Sequence, residues 1–407
     1  MIMTGATSVL QLVLALGLLP PTANAQPPVT PMSPVFTATG SAQSPVAGCY
    51  RSPILLRTRS SLLAIAVHHW DSRLSPCNDV GLKAITSRRS TDGNSWGEQR
   101  TILNDTLPSA YPGDDGISMG TAVYDNRTQT IFLFYTVCSH VPGRASKAPA
   151  RCPGGHGKFV LTSKDDGVSW SAPANITSQL HDMPGIWAPG PATGIQTATG
   201  RLLACGSYRV APKYSRKPPI QSVSQCIASD DKGQTWRKVG FAAYSGVQGT
   251  STDHQPNEVQ PANLANGSIL LNSRDVGKGY GHRLLTLSTD NGDTFGAARV
   301  EQQLYDYPST AGSMIRHGGC LYVSNLGEDP LDRRINDPCE KPPEPSPCGS
   351  RHNLTLHASC DEAKTWRMLG CVHAAGKPLL SAYNTVLFLS DLPSAWMQGG
   401  VGWAGGV

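Results

Sequence analysis

An all-β fold built from repeated sheets is predicted by three features of the sequence. The pattern Ser-x-Asp-x-Gly-x-(Ser/Thr)-Trp occurs as SKDDGVSW from Ser163 and SDDKGQTW from Ser229, and with Phe in last place as STDNGDTF from Ser288. Degraded copies flank these, STDGNSW from Ser90 and SCDEAKTW from Ser359, so the five starting serines lie 59 to 73 residues apart. That period accommodates a four-stranded sheet with its connections, as in one blade of a propeller. Secondly, short β-rich runs alternate with turn signals along the chain, and no helical pattern of three turns follows the N-terminal segment. Thirdly, 42 Gly and 32 Pro set against only 15% charged residues favour turns and short strands over long surface helices.

Taken in order, the chain opens on SVLQLVLALGLL, Ser8 to Leu19, an apolar run too short for a comfortable membrane span. Pro20-Pro21 and the small-x-small triplet Ala23-Asn24-Ala25 follow it, so residues 1–25 are expected to be a signal peptide. Residues 26–46 are rich in Pro, Ser and Thr and read as a flexible lead-in. The β-rich part covers 47–390 through SLLAIAVHH, TAVYDNRTQTIFLFYTV, GKFVLTS, GRLLACGSYR, GSILLNSRD, HRLLTLST, CLYVSNL and NLTLHAS. The second of these is a hairpin whose turn lies at Asp125 to Thr128. Residues 391–407 form a Gly-rich tail without alternation.

The repeated octapeptide sits at the ends of such runs, and its residues suit a tight turn. Asp accepts backbone N–H groups across the turn, and Gly takes the positive φ. The closing aromatic packs beneath neighbouring strands. One active site does not need five copies of a motif, whereas several blades need several turns. The octapeptide is therefore scaffold.

A net charge of +5 without a Lys/Arg run hints at an anionic substrate and gives no case for nucleic acid. Five N-glycosylation sequons, at Asn104, Asn126, Asn175, Asn266 and Asn353, agree with the secretory route. On that route the eleven cysteines are expected to include disulfides, with an odd one unpaired or shared between chains. Cys339 and Cys348 bracket a Pro-rich loop that a local bridge would pin. No CxxC pair or HExxH motif points to a metal.

The octapeptide is the Asp box, and further segments make the chain resemble the exo-α-sialidases, closest in pattern to the animal lysosomal sialidase. The resemblance implies a six-bladed β-propeller of the sialidase fold, with a last blade short of strands because of the tail. It also implies a site. Arg51 in YRSP, Arg274 in LNSRD and Arg351 in SRHNLTLHAS match the family's three arginines, which clamp the substrate carboxylate. Arg suits that task because its guanidinium is always charged and forked. Tyr383 in LLSAYNTV corresponds to the nucleophile and Glu258 in QPNEVQPANLANGS to its base. A neutral phenol avoids the repulsion a carboxylate would meet at an anomeric carbon that itself bears a carboxylate. Asp79 in NDVGLKAITSRRS corresponds to the acid that protonates the leaving oxygen, with Asp71, Asp114 and Asp115 as rivals. The segment APGPATGIQ, Ala188 to Gln196, resembles a loop that shapes the site.

The implied reaction is retaining hydrolysis of terminal α-linked sialic acid on glycoproteins, glycolipids and oligosaccharides. An inactive sialic-acid-binding propeller and a trans-sialidase are the alternatives. No metal or organic cofactor is implied. Sialylated glycoconjugates are the expected partners, with an accessory protective protein by resemblance, in the lysosome or at the cell exterior. Three positions depart from the family pattern. Ser52 stands where Ile is expected, Ala363 replaces the Gly of the last box, and the first box is one residue short.

Overall fold

The computed structural model describes residues 9–16, 29–30, 34–37, 49–70, 82–105, 116–138, 156–183, 187–210, 221–243, 254–277, 281–306, 309–326, 354–371, 373–374, 377–378, 383–388 and 400–406. Five antiparallel blades follow one another along the chain. The first is Cys49–Arg57, Leu62–His69, Lys83–Ser90 and Arg100–Asn104; the second is Ile117–Asp125, Thr130–Cys138, His156–Ser163 and Ala174–Asn175. The third contains Trp187–Pro189, Leu202–Val210, Gln221–Ser229 and Arg237–Ala242. The fourth is Pro256–Asn263, Ile269–Asp275, His282–Ser288 and Arg299–Tyr305; the fifth is Ser313–His317, Cys320–Leu326, Leu354–Ser359 and Arg367–Cys371. The hairpin read from the sequence at Asp125 to Thr128 is the one joining the first two strands of the second blade.

The strand Tyr383–Phe388 touches the inner strands of both the fifth and the first blade, so it closes the ring. It pairs with Gly400–Gly406, which pairs in turn with Val9–Leu16. The Gly-rich tail thus supplies a strand despite its lack of alternation. Ladder hydrogen bonds come from the backbone and do not need a side-chain pattern. Val9–Leu16 belongs to the segment expected to be a signal peptide, and it also pairs with Val29–Thr30 and Pro34–Thr37.

Blades pack face to face, which explains why central strands such as Leu62–His69 are apolar on both sides. Ile54, Leu63 and Ile65 of the first blade meet Ile117, Leu133 and Leu161 of the second. Phe134 meets Trp187 and Trp236 edge-on between the second and third. The box aromatics are part of these seams. Trp170, Trp236, Phe295 and Trp366 each pack into the cluster shared with the preceding blade.

Each box is a closed hydrogen-bond unit. In the second blade Gly167 N–H donates to Ser163 Oγ at 2.9 Å, while Ser169 N–H and hydroxyl donate to Asp165 at 2.9 and 2.5 Å. These donors hold the Asp165 carboxyl well below its usual range, at about 2, against the opposing effect of burial. The short first box makes the same bonds in one residue fewer, with Gly93 N–H on Ser90 Oγ at 2.8 Å. In the last box Ala363 adopts φ 64, the left-handed conformation that its glycine counterparts Gly167 and Gly233 adopt at 81 and 84.

Among the described residues two disulfides lie within blades, Cys205–Cys226 across neighbouring strands of the third and Cys320–Cys360 in the fifth. Cys339 and Cys348 lie outside the described residues, as does the sequon Asn353. The other four sequon asparagines, Asn104, Asn126, Asn175 and Asn266, are exposed.

Candidate active site

In an antiparallel blade the chain reverses at each strand end, so position in the strand count fixes the face. Strand one begins, strand two ends and strand three begins at one face, while the Asp boxes, joining strands three and four, lie at the other. Arg51 and Glu258 are near the start of first strands, and Arg274 is near the end of a second strand. Tyr383 begins its strand. All four therefore belong to the face opposite the boxes.

Asp79 and Arg351 lie outside the described residues, as do the rivals Asp71, Asp114 and Asp115. Their anchoring strand ends are described. His69 pairs with Lys83 on either side of Asp79, and Leu326 with Leu354 on either side of Arg351. Both pairs are at the site face.

Bulges aim the inner strands. Register shifts occur between Arg51 and Ile54 and between Pro256 and Val259, the latter enclosing Asn257 and Glu258. A bulge frees a residue from the ladder and turns its side chain to a new direction, a use common beside active sites. Ser52 is buried in the first of these with φ 53. This accounts for its departure from the expected Ile, because a β-branched residue is strained in that conformation.

The best-defined part of the site is in the fourth blade. Glu258 is buried, and its Oε2 accepts a hydrogen bond from Arg274 Nη1 at 2.7 Å. Arg274 Nε donates to Ser309 Oγ at 3.1 Å. The flanking Asn257 is tied to the third blade: Nδ2 donates to Ser222 Oγ at 2.6 Å, and its carbonyl accepts from Ser224 Oγ at 2.8 Å. Asp275, next to Arg274, accepts from Gln255 N–H at 2.8 Å and pairs with His254 Nδ1 at 2.6 Å. The structure thus brings Glu258 and Arg274 into direct contact and puts the Arg51 and Tyr383 strands side by side.

Sequence reasoning missed the residues that hold this arrangement. Arg283 is fully buried, donating to Asn272 Oδ1 and Asp306 Oδ2 at 2.8 Å and to the Thr310 carbonyl at 2.6 Å. A lone arginine inside the apolar run HRLLTLS was a readable signal. Thr193 leaves the third blade to pair in parallel with the second. Its Oγ1 donates to the Leu55 carbonyl at 3.2 Å, and its backbone exchanges hydrogen bonds with the Gln260 amide at 3.2 and 2.6 Å. Thr193 thereby bridges the strand of Arg51 and the strand of Glu258. This gives a physical basis for the expectation that the surrounding segment shapes the site.

The fold and site define a β-propeller with Asp boxes on one face and a buried acid–arginine cluster on the other. Residues 78–378 match the family described as BNR repeat-like domain, and the chain belongs to that family. A curated sialidase of Micromonospora viridifaciens is 29% identical over 361 residues, covering 84% of this chain and 48% of that protein. The chain spans about half the length of the curated relatives it matches, 48% and 54% for two sialidases. Among solved structures, the Hadza microbial sialidase Hz136 aligns with a TM-score of 0.61 at 22% identity, over 83% of this chain and 61% of that one. A Trypanosoma rangeli sialidase in complex with 2,3-difluorosialic acid, described as a covalent intermediate, aligns with a TM-score of 0.60 at 13% identity, over 88% and 54%.

Proposed function

We propose that this protein is an exo-α-sialidase that releases terminal α-linked sialic acid with retention of configuration. The observation that carries the reading is the buried Glu258 carboxylate paired with Arg274 at 2.7 Å, in a family member whose curated relatives are sialidases. In the proposed mechanism, Arg51, Arg274 and Arg351 hold the substrate carboxylate. Hydrogen bonds to charged groups contribute roughly 1.5–3 kcal/mol each. Asp79 protonates the leaving glycosidic oxygen as the Tyr383 phenol, its proton taken by Glu258, attacks the anomeric carbon. Asp79 then deprotonates the water that cleaves the tyrosyl–sugar bond, and Glu258 returns its proton to the departing phenolate to restore the phenol. The covalent intermediate described for the Trypanosoma rangeli sialidase supports this two-step course.

The closing sheet is read as a sixth blade, and the pattern of the motifs as nearest to the animal lysosomal enzyme. Residues 1–25 are read as a leader that directs the chain to the secretory route, to the lysosome or cell exterior. Removing the leader takes Val9–Leu16 from the closing sheet and leaves the Tyr383–Phe388 and Gly400–Gly406 pair. Two disulfides and four exposed sequon asparagines support the secretory reading.

A fluorogenic sialoside assayed over about pH 4–7, the range of lysosomal to neutral compartments, tests the activity. Tyr383→Phe and Asp79→Ala should each lower turnover by about a hundredfold or more. Sialic-acid binding without turnover in the wild type would leave a binding propeller. Full activity in Asp79→Ala would pass the acid role to Asp71, Asp114 or Asp115.

A further inference from the structure

Ser309 is a serine where a glycine would fit with less strain. Its φ is 73, in the left-handed region, and it is 4% exposed. A non-glycine residue held there is strained and persists only where its surroundings over-determine it. Ser309 N–H donates to the Asp306 carbonyl at 2.8 Å, and Asp306 N–H donates to the Gly281 carbonyl at 2.8 Å. The buried Arg283 then clamps both flanks, with Nη1 on Asp306 Oδ2 at 2.8 Å and on the Thr310 carbonyl at 2.6 Å. The same guanidinium reaches Asn272 Oδ1 at 2.8 Å, two residues before Arg274 on its strand. One buried cation therefore locks the strand of Arg274 to the segment bearing Ser309.

The hydroxyl is what a glycine would lack. Ser309 Oγ donates to the Asp275 carbonyl and accepts from Arg274 Nε at 3.1 Å. Together with Glu258 on Nη1, this gives the Arg274 guanidinium two fixed contacts on different nitrogens, which set its plane. A planar fork binds a carboxylate bidentately only when its plane is right.

We propose that Ser309 is a positioning residue: its strained backbone, anchored by Arg283, holds a hydroxyl that orients Arg274 for the carboxylate of an acidic sugar. This rests on the sialidase reading above. The carboxylate is held in ground and transition states alike, so misorienting Arg274 weakens uniform binding and appears in KM.

Ser309→Gly removes the hydroxyl and relieves the strain, while Ser309→Ala removes the hydroxyl and keeps the strain. Both should raise KM for a fluorogenic sialoside about tenfold with kcat within about threefold. Urea midpoints should separate them, with Ser309→Gly no less stable than wild type and Ser309→Ala below Ser309→Gly. In an Arg274→Lys background, Ser309→Gly should change KM by less than about twofold. The proposal is overturned if Ser309→Gly leaves KM at the wild-type value, if KM follows stability across the two variants, or if the full effect survives in Arg274→Lys. A wild-type protein that neither cleaves nor binds sialic acid overturns the functional reading first and the positioning role with it.

Discussion

Replacing Arg274 with Leu tests whether the site is held as a charge pair. The Glu258 side chain is 4% exposed and Arg274 18% exposed, at an N–O distance of 2.7 Å. Removing one partner of a buried pair costs about 3–5 kcal/mol, because the remaining charge is left without compensation. Here the arginine side of the pair sees some solvent, so the lower end, about 3 kcal/mol, is expected. Adding Glu258→Gln replaces the stranded carboxylate with a neutral amide, whose cost is that of a polar group with incomplete hydrogen bonding, about 1–2 kcal/mol. The double variant should thus be more stable than Arg274→Leu alone by about 1–2 kcal/mol. Urea unfolding at pH 7 measures this, with unchanged slopes showing that the denatured states are comparable. A single variant that loses less than about 1 kcal/mol, or strictly additive losses, would refute the argument that the pair is buried and coupled.

Two further perturbations address the scaffold. His357 is buried in the fifth blade, and burial lowers its pKa to about 4. Its folded-state pKa lies below the unfolded value near 6.5, so its contribution is fully present above that value and lost as pH falls towards 4. The loss is about 2 kcal/mol by pH 5; His357→Met should flatten that part of the stability profile, and an unchanged slope would contradict the assignment. Gly233 has φ 84, and a Cβ there would lie 2.2 Å from the Phe132 ring. Left-handed strain of about 1–2 kcal/mol and overpacking of about 1–3 kcal/mol give Gly233→Ala a cost of about 2–5 kcal/mol. Gly267→Ala, with φ 85 and no atom within 4 Å of the added Cβ, should show the strain alone, and equal losses in thermal denaturation would show that packing at the box is slack.

What could be read in the sequence follows from how local each feature is. The Asp boxes were legible because the bonds that shape the turn close within eight residues, as between Ser163 and Ser169. Glu258 and Arg274 were legible only through family resemblance, since a loop glutamate and a strand arginine have no distinguishing local pattern. Ser309 gave no signal at all. Its partner Arg274 is 35 residues away, and the left-handed φ that marks it is a product of tertiary anchoring. The tail shows no strand pattern in sequence because Gly402, Gly405 and Gly406 break any alternation, yet it pairs along Tyr383–Phe388 through the backbone. Periodicity detects faces, and a strand defined by ladder bonds alone has none to detect.

The separation of scaffold from chemistry has a geometric cause. Three of the boxes bond sideways to the preceding blade: Asp166 accepts from Ser60, Asn291 donates to Thr199 at 2.9 Å, and Glu362 accepts from Ala265 N–H at 3.0 Å. Arg201 extends this by pairing with Asp230 of its own box at 2.6 Å and Asp293 of the next at 3.0 Å. These fasteners fix the angle between neighbouring blades from the face opposite the site. The face opposite the boxes is then free to carry bulges, a left-handed serine and a buried carboxylate, each of which weakens the sheet where it occurs. Damage to a box should therefore lower stability and leave KM and kcat of the folded fraction unchanged, whereas Ser309→Gly should raise KM and leave stability no lower than in the wild type. That opposition follows from the reversal of chain direction at every strand end, which puts the third-to-fourth-strand turns and the inner-strand bulges at opposite ends of each blade.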